Sequence, residues 1–298
     1  MYDLQLKIQN IRQFVQMNPT PRLDRLSALL GGLAPRVEVM RPGHDHGVLQ
    51  FPAEASRGLW LHLVLAGGVE VRSADERITQ AEAPAMVICR ADAAHALTHH
   101  DHTAQPQGAT VPEALLCARA HLEGPVAPLL LAEFQQPMVV QLAGADGSLQ
   151  QVIQLVSAEI NEPRCGQPLL LDRAGDIVFI GLLRHLVAHA GDGQGLFHGL
   201  ADPRLASTLV ALHSEPQADW RLESMAEHAG MSRTAFANRF REALNTTPGK
   251  YLAQLRLAIA QKAVAGGDSL KAAARRTGYA DASALSRALA KGRAPARA

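Results

Sequence analysis

Residues 222–241 read LESMAEHAGMSRTAFANRFR, and their pattern decides how the last third of the chain folds. Leu222–His228 has the make-up of a short helix, and Gly230 fits a turn between two helices. Ser232 stands where a hydroxyl caps the helix that follows, Arg233–Ala243. Phe236 and Phe240 are spaced i, i+4, so both face inward and leave Thr234, Ala237, Asn238 and Arg241 on the remaining faces. Helix, glycine turn and helix with a polar outward face is the helix-turn-helix layout. Its second helix suits the major groove of DNA, which at about 12 Å wide admits one helix.

Working outward, Asp202 is placed to cap a helix that has Pro203 at its first position and runs to about Leu212. Downstream, Thr247 and Pro248 play the same two parts for a long helix, Gly249–Ala265, which carries Tyr251, Leu252, Leu255, Leu257, Ile259 and Val264. Gly266-Gly267-Asp268 breaks it, and the pattern then recurs. Ser269–Arg276 is a short helix, and Thr277-Gly278-Tyr279 takes the place of Ala229-Gly230-Met231. Asp281–Ala290 is a second candidate reading helix, with Leu285 and Leu289 inward and Ser283, Ser286, Arg287 and Lys291 outward or flanking. Two readers on one connecting helix suit successive major-groove segments, about 34 Å apart.

Charge supports a polyanion partner for this region. The chain of 298 residues has a net charge of only +1, but residues 1–202 hold 14 basic and 21 acidic residues, while residues 203–298 hold 15 basic and 7 acidic. A basic module of net +8 thus follows an acidic body of net −7. No run of about 18 apolar residues is present, so no transmembrane helix is expected, and the N-terminus lacks the apolar core of a signal peptide. Three widely spaced cysteines form no CxxC pair and no disulfide framework, which fits a cytoplasmic location.

The front of the chain reads differently. Leu23, Leu26, Leu29 and Leu30 mark a short amphipathic helix that Gly31-Gly32 is expected to stop. From about Val37 to Glu123 short apolar runs alternate with Gly, Pro and Asp clusters: Leu59–Leu65, Val69–Arg72, Ala85–Cys89 and Ala114–Leu122. That spacing predicts an antiparallel barrel or sandwich, with Thr103–Pro112 as a polar loop. Helical periodicity follows, in Leu149–Ile160 and in Ala174–Ala190. The second of these is apolar on nearly all sides and is expected to be buried, in its own core or against a partner subunit. Gly191–Gly195 reads as a break between domains.

Taken together, residues 203–291 resemble the tandem helix-turn-helix domain of the AraC/XylS-type transcriptional regulators. The residues that carry the resemblance are Leu222, Met225-Ala226, Gly230-Met231-Ser232, Phe236, Phe240-Arg241, Thr247-Pro248, Tyr251-Leu252, Arg256-Leu257 and Ala260, then Ala273, Gly278-Tyr279 and Leu285-Ser286-Arg287-Ala288. The N-terminal two thirds resemble the cupin-type sensor domain of one branch of that family, through Leu61-His62-Leu63-Val64, Gly67-Gly68, Ala94-His95-Ala96-Leu97 and Arg173-Ala174-Gly175-Asp176. The fold so implied is α+β: a cupin-like β-barrel with a helical appendage over residues 1–195, then an all-α tandem helix-turn-helix domain over residues 196–298. Leu285 and Leu289 stand where the family usually has aromatics, and the second module is expected to be truncated, without its closing helix.

The function implied is a sequence-specific DNA-binding regulator whose front domain senses a small molecule or chemical stress. Its expected partners are double-stranded DNA, an effector or oxidant, RNA polymerase as for an activator, and a second copy in a homodimer. Carried over by position, Ser232, Arg233, Thr234, Ala237, Asn238 and Arg241 of the first reader and Ser283, Ser286, Arg287 and Lys291 of the second would meet DNA. Asn238 suits adenine and Arg287 suits guanine, while Ser232 and Arg241 suit phosphate. In the front domain, His44, His46 and His95 are candidate ligands for a divalent metal, and His99–His102 reads as a solvated loop. Cys89, Cys117 and Cys165 are candidate redox sensors; the first two lie in apolar strand contexts, where a free cysteine is usually an inert small hydrophobe, and Cys165, beside Arg164, is the most accessible. No Ser-His-Asp spacing and no glycine-rich phosphate loop points to catalysis. The competing reading is a metal-dependent cupin enzyme with a vestigial DNA-binding module.

Overall fold

The computed structural model of the chain describes residues 24–40, 48–100, 115–144, 147–191 and 193–293. Its fold is α+β. Among these residues nine strands form two antiparallel sheets. The larger has the order β1 (Pro35–Met40), β8 (Leu115–Leu122), β3 (Gly58–Val64), β6 (Ala85–Arg90), β9 (Met138–Gln141). The smaller has the order β2 (Leu49–Phe51), β7 (His95–His100), β4 (Gly68–Ser73), β5 (Ile78–Glu82).

The alternating period of a strand explains why β3 has no polar face. Leu59, Leu61 and Leu63 join the core shared with the helices, while Trp60 and Val64 join a second core between the sheets. β6 divides the same way, with Met86 and Ile88 on one side and Ala85, Val87 and Cys89 on the other. His62 is the one imidazole of β3, and its place in the alternation puts it inside with Trp60 and Val64.

The front helix spans Ser27–Leu33, so Gly31 and Gly32 lie within it rather than ending it. It ends instead at Ala34, which takes the left-handed conformation, and Gly32 within it packs so close to Val126 that a side chain there would collide with it. The long apolar helix begins seven residues before the expected start and spans Gln167–Ala188. It is not wholly buried: one side packs in the core through Leu171, Val178, Phe179, Leu182 and Leu183, but Leu169 and Ile177 are 63% and 52% exposed. His99 and His100 belong to strand β7 rather than to a loop, because β7 continues its pairing with β4 through both residues. Thr103–Pro112, His44, His46 and His102 lie outside the described residues.

Gly175 and Asp176 seat the long helix on edge strand β1. A Cβ at Gly175 would lie 2.9 Å from Val37 Cγ1 and 3.2 Å from Val39 Cγ2, so only glycine allows this approach without movement. Asp176 then accepts a hydrogen bond from the Val37 N–H at 3.0 Å. The helix thus covers the sheet edge and satisfies one of its backbone donors.

The helical core does not stop at Gly191–Gly195. One continuous apolar cluster runs from Leu26 and Phe134 through Phe197 and Leu209 to Phe236, Phe240 and Leu255. At the crossing, the Glu133 carboxylate accepts the Leu196 N–H at 2.8 Å, capping the helix Leu196–Ala201, and the Gly195 N–H reaches Ala243 O at 2.8 Å. Arg25 donates to Leu200 O and Ala201 O at 3.2 and 3.1 Å.

Candidate nucleic-acid interface

Asp202, Ser232 and Thr247 cap their helices as the sequence reads, while Ser269 and Asp281, read as first helical residues, are caps as well. Asp202 accepts from the Arg204 and Leu205 N–H groups at the start of Pro203–Ser214. Leu222–His228 is followed by Gly230 at φ +62°, and Ser232 Oγ accepts from Ala235 N at the head of Arg233–Leu244. Thr247 caps Pro248–Ala265, and Ser269 caps Leu270–Thr277. Gly278 ends that helix at φ +73°, and Asp281 Oδ1 accepts from Ala284 N in Ala282–Arg293. Two helix-turn-helix units therefore flank one connecting helix.

Phe236 and Phe240 are fully buried, with ring centroids 5.5 Å apart and Phe240 edge-on to Tyr251 at 5.7 Å. Their burial turns Thr234, Asn238 and Arg241 outward, all exposed, with Ala237 half-buried beside them. Ser232 is exposed, but its hydroxyl oxygen already caps the helix. Arg233 is exposed and paired with Glu223 of the preceding helix at 2.8 Å, so a phosphate would have to compete with that carboxylate. In the second unit Leu285 is fully buried and Leu289 half-buried, which leaves Ser283, Ser286, Arg287 and Lys291 exposed. Among the described residues Arg241, Arg287 and Lys291 form no ion pair, so their charges are open to a polyanion. Exposed Lys250, Lys271 and Arg275 share that property; they went unnoticed in the sequence because each was one cation among fifteen in this region.

The two readers are unequally supported. The first shares the continuous core with the front sheets. The second rests on a small separate cluster of Ala260, Ala273, Ala274 and Leu285, edged by Ala263, Val264, Tyr279 and Leu289. Arg256 steadies the approach of the two: it donates to Pro216 O and Ala218 O, both at 2.7 Å, and lies against Gly278.

Connections between the helices are made by buried polar pairs. Tyr251 and His213 Nε2 are 2.7 Å apart. Burial pushes His213 down to about 4 and Tyr251 up, so the pair is a neutral imidazole hydrogen-bonded to a neutral phenol.

In the front part, His95 lies against His62 and Cys89, all three buried. Cys117 is buried and Cys165 exposed. Sequence reasoning left His62 out of the candidate ligands, although a single histidine within LWLHLVL, in phase with the inward Trp60 and Val64, carried the signal.

The cupin family model matches residues 24–188, and a helix-turn-helix domain model matches residues 225–293. Among curated proteins, an uncharacterized HTH-type transcriptional regulator of Haemophilus influenzae is 31% identical over 129 residues, 43% of each chain. The HTH-type transcriptional regulator AlkR of Acinetobacter baylyi is 31% identical over 134 residues, 45% of this chain and 44% of that one. The RCS-specific HTH-type transcriptional activator RclR of Escherichia coli is 25% identical over 246 residues, 80% of this chain and 82% of that one. The chain thus spans less than half the length of the first two relatives and four fifths of the third.

Proposed function

Because the chain belongs to the cupin family through residues 24–188 and carries an AraC-type helix-turn-helix domain behind it, we propose that it is a sequence-specific DNA-binding transcriptional regulator. Its front part would sense a small molecule or a chemical stress. The observation that carries this reading is the pair of exposed reading faces, Thr234/Asn238/Arg241 and Ser283/Ser286/Arg287, each held out by inward residues and reached by unpaired cations. The names of the relatives favour a regulator over a cupin enzyme with a vestigial reader.

In this reading Asn238 pairs with adenine and Arg287 with guanine, and Arg241, Lys250 and Lys291 meet phosphate. The apolar side chains left exposed on the paired helices, Leu155, Leu169 and Ile177, support a homodimer. RNA polymerase is the second protein partner such a regulator would meet. No helix among the described residues is long and apolar enough to cross a membrane, which is consistent with work at DNA in the cytoplasm.

The test is quantitative binding of the full-length protein to duplex DNA over a salt series. A logarithmic loss of affinity with salt, together with a site that survives competition by bulk DNA, is expected. Binding that bulk DNA abolishes at every salt concentration would contradict the reading.

A further inference from the structure

Neighbouring residues wall a cavity of the front part and hold the root of the first reader. The cavity, of about 230 Å³, is lined by Ser73, Cys89 and His95 on the strand side. Phe134 and Gln136 line it on the other side, from the segment that joins Ala127–Leu131 to β9. Ser73 is the register partner of His95 across β4 and β7, so their side chains share one face of the sheet. The buried Ser73 Oγ has no hydrogen-bond partner among the described residues.

Glu133 and Phe134 carry this wall to the helices behind it. Phe134 is buried and meets Phe197 edge-on, with ring centroids 6.0 Å apart. Glu133 accepts the Leu196 N–H at 2.8 Å, and its carboxylate occupies the space that a side chain at Gly195 would need. The Gly195 N–H in turn donates to Ala243 O at 2.8 Å, in the last turn of the first reading helix, and Gly199 packs against Leu244. Burial raises the Glu133 carboxyl, while the Leu196 and Phe197 N–H groups pull the other way. Its charge adds to the burial that raises Tyr251, so Glu133 also lies in the field of the connecting helix. Withdrawing those N–H groups would strand a largely buried carboxylate, so the contact resists being loosened in part.

We propose that Glu133 and Phe134 couple the cavity to the first reader: occupation of the cavity displaces residues 133–137, and the displacement passes through Gly195 and Phe197 to the Ala243–Leu244 end of the reading helix. The coupling rests on the reading that the front part senses a small molecule, and it supplies the route by which that event reaches DNA. Side chains packed at core density pass a displacement on rather than absorb it. The linkage is reciprocal, so DNA that fixes the reading helix changes affinity at the cavity by the same factor. The second reader, on its separate apolar cluster, lies off this route.

Amide hydrogen exchange of the full-length protein reads the route without ligand or DNA. Ser73→Phe fills the cavity from β4. It should change exchange in Leu196–Ala201 and at the Ala243 end of Arg233–Leu244 by about threefold or more, and leave Leu270–Thr277 as it is. In a Glu133→Ala background the same substitution should no longer reach Ala243, whereas Glu133→Gln, which keeps an acceptor, should preserve the response. Ala94→Leu, a smaller filling from the residue before β7, replaces Ser73→Phe if that variant does not fold. The wild-type protein needs no variant: its Phe134 and Leu196 amides should open together, with one opening free energy. A response confined to residues 134–137, one spread equally over Leu270–Thr277, one that survives Glu133→Ala, or separate opening of Phe134 and Leu196 overturns the coupling. Such a failure leaves the front part to sense by another route. Exchange that follows the route, in a protein whose DNA binding answers to no small molecule, would instead overturn the sensor reading alone.

Discussion

Asp202 and Arg239 join two helices through one carboxylate. Asp202 caps Pro203–Ser214 with its Oδ1, while its Oδ2 accepts from Arg239 Nε on the outer side of the first reading helix. Burial alone would raise the Asp202 carboxyl, but Arg239 and the Arg204 and Leu205 N–H groups outweigh it and hold it below the usual carboxylate range. The pairing also removes Arg239 from the cations available to DNA. Asp202→Ala should cost about 1–2 kcal/mol of unfolding free energy, the scale of a lost cap with its neighbour's pair. Asp202→Asn keeps an acceptor for the cap and should lose less. Urea unfolding of both variants checks this; equal losses would show that the charge, not the cap, matters.

Gly175 is a packing position. Gly175→Ala forces a Cβ against Val37 and Val39 and should destabilise by about 1–3 kcal/mol, through displacement of the Gln167–Ala188 helix from β1. Asp176→Ala at the next residue should cost less, since it frees only one edge N–H. Thermal unfolding of the two variants ranks them, and a neutral Gly175→Ala would contradict the close approach.

Unequal cores imply unequal local stability. Residues 270–293 rest on alanines and Leu285, whereas the first reader buries Phe236 and Phe240 in the shared core. Fully burying one such large side chain is worth about 1.5–3 kcal/mol. Amide hydrogen exchange of Leu270–Thr277 and Ala282–Arg293 should therefore be faster than that of Arg233–Leu244, and Leu285→Ala should accelerate it further without moving the first reader. Uniform protection across both units would count against this.

Acid should loosen the helical part. His213 refuses a proton until about pH 4, while an unfolded histidine accepts one near pH 6.5. Protonation thus favours the unfolded chain, and stability present above about pH 6.5 is lost as the pH falls toward 4. At about 1.4 kcal/mol per unit the loss from this group reaches roughly 3 kcal/mol. His62, His95 and His185 are lowered as well and act in the same direction. His213→Asn should flatten the slope of unfolding free energy between pH 6.5 and 4.5; an unchanged slope would remove His213 from the account.

Both reading helices, the cap of the first and the inward residues of both were legible in the sequence, because capping chemistry and i, i+4 spacing are local. Asp202, Ser232 and Thr247 all cap where their side chains said they would, while Ser269, read as the first residue of its helix, caps it instead. Gly31-Gly32 misled because glycine lowers helix propensity without forbidding a helix, and Gly32 answers to its packing on Val126, nearly a hundred residues away. His99 and His100 misled because a polar run pairs as readily with β4 as it dissolves in water. The grouping of His62 with Cys89 and His95 depends on pairing between distant strands, which no local spacing encodes.

At the DNA, Arg287→Ala should cost about 1–3 kcal/mol at one base position and relax preference there, while Arg241→Ala should weaken all sequences alike and reduce the salt slope by about one. Affinity measurements against a set of single-base variants separate the two; identical profiles for both variants would contradict the assigned roles.

The central claim is that both helices read one duplex. It is tested most directly by retaining sheared genomic DNA on the purified full-length protein at near-physiological salt and sequencing what is held. The account predicts a small set of sites sharing a two-block motif, with the blocks about one helical turn apart. Bulk retention that salt removes, with no shared motif, would contradict it.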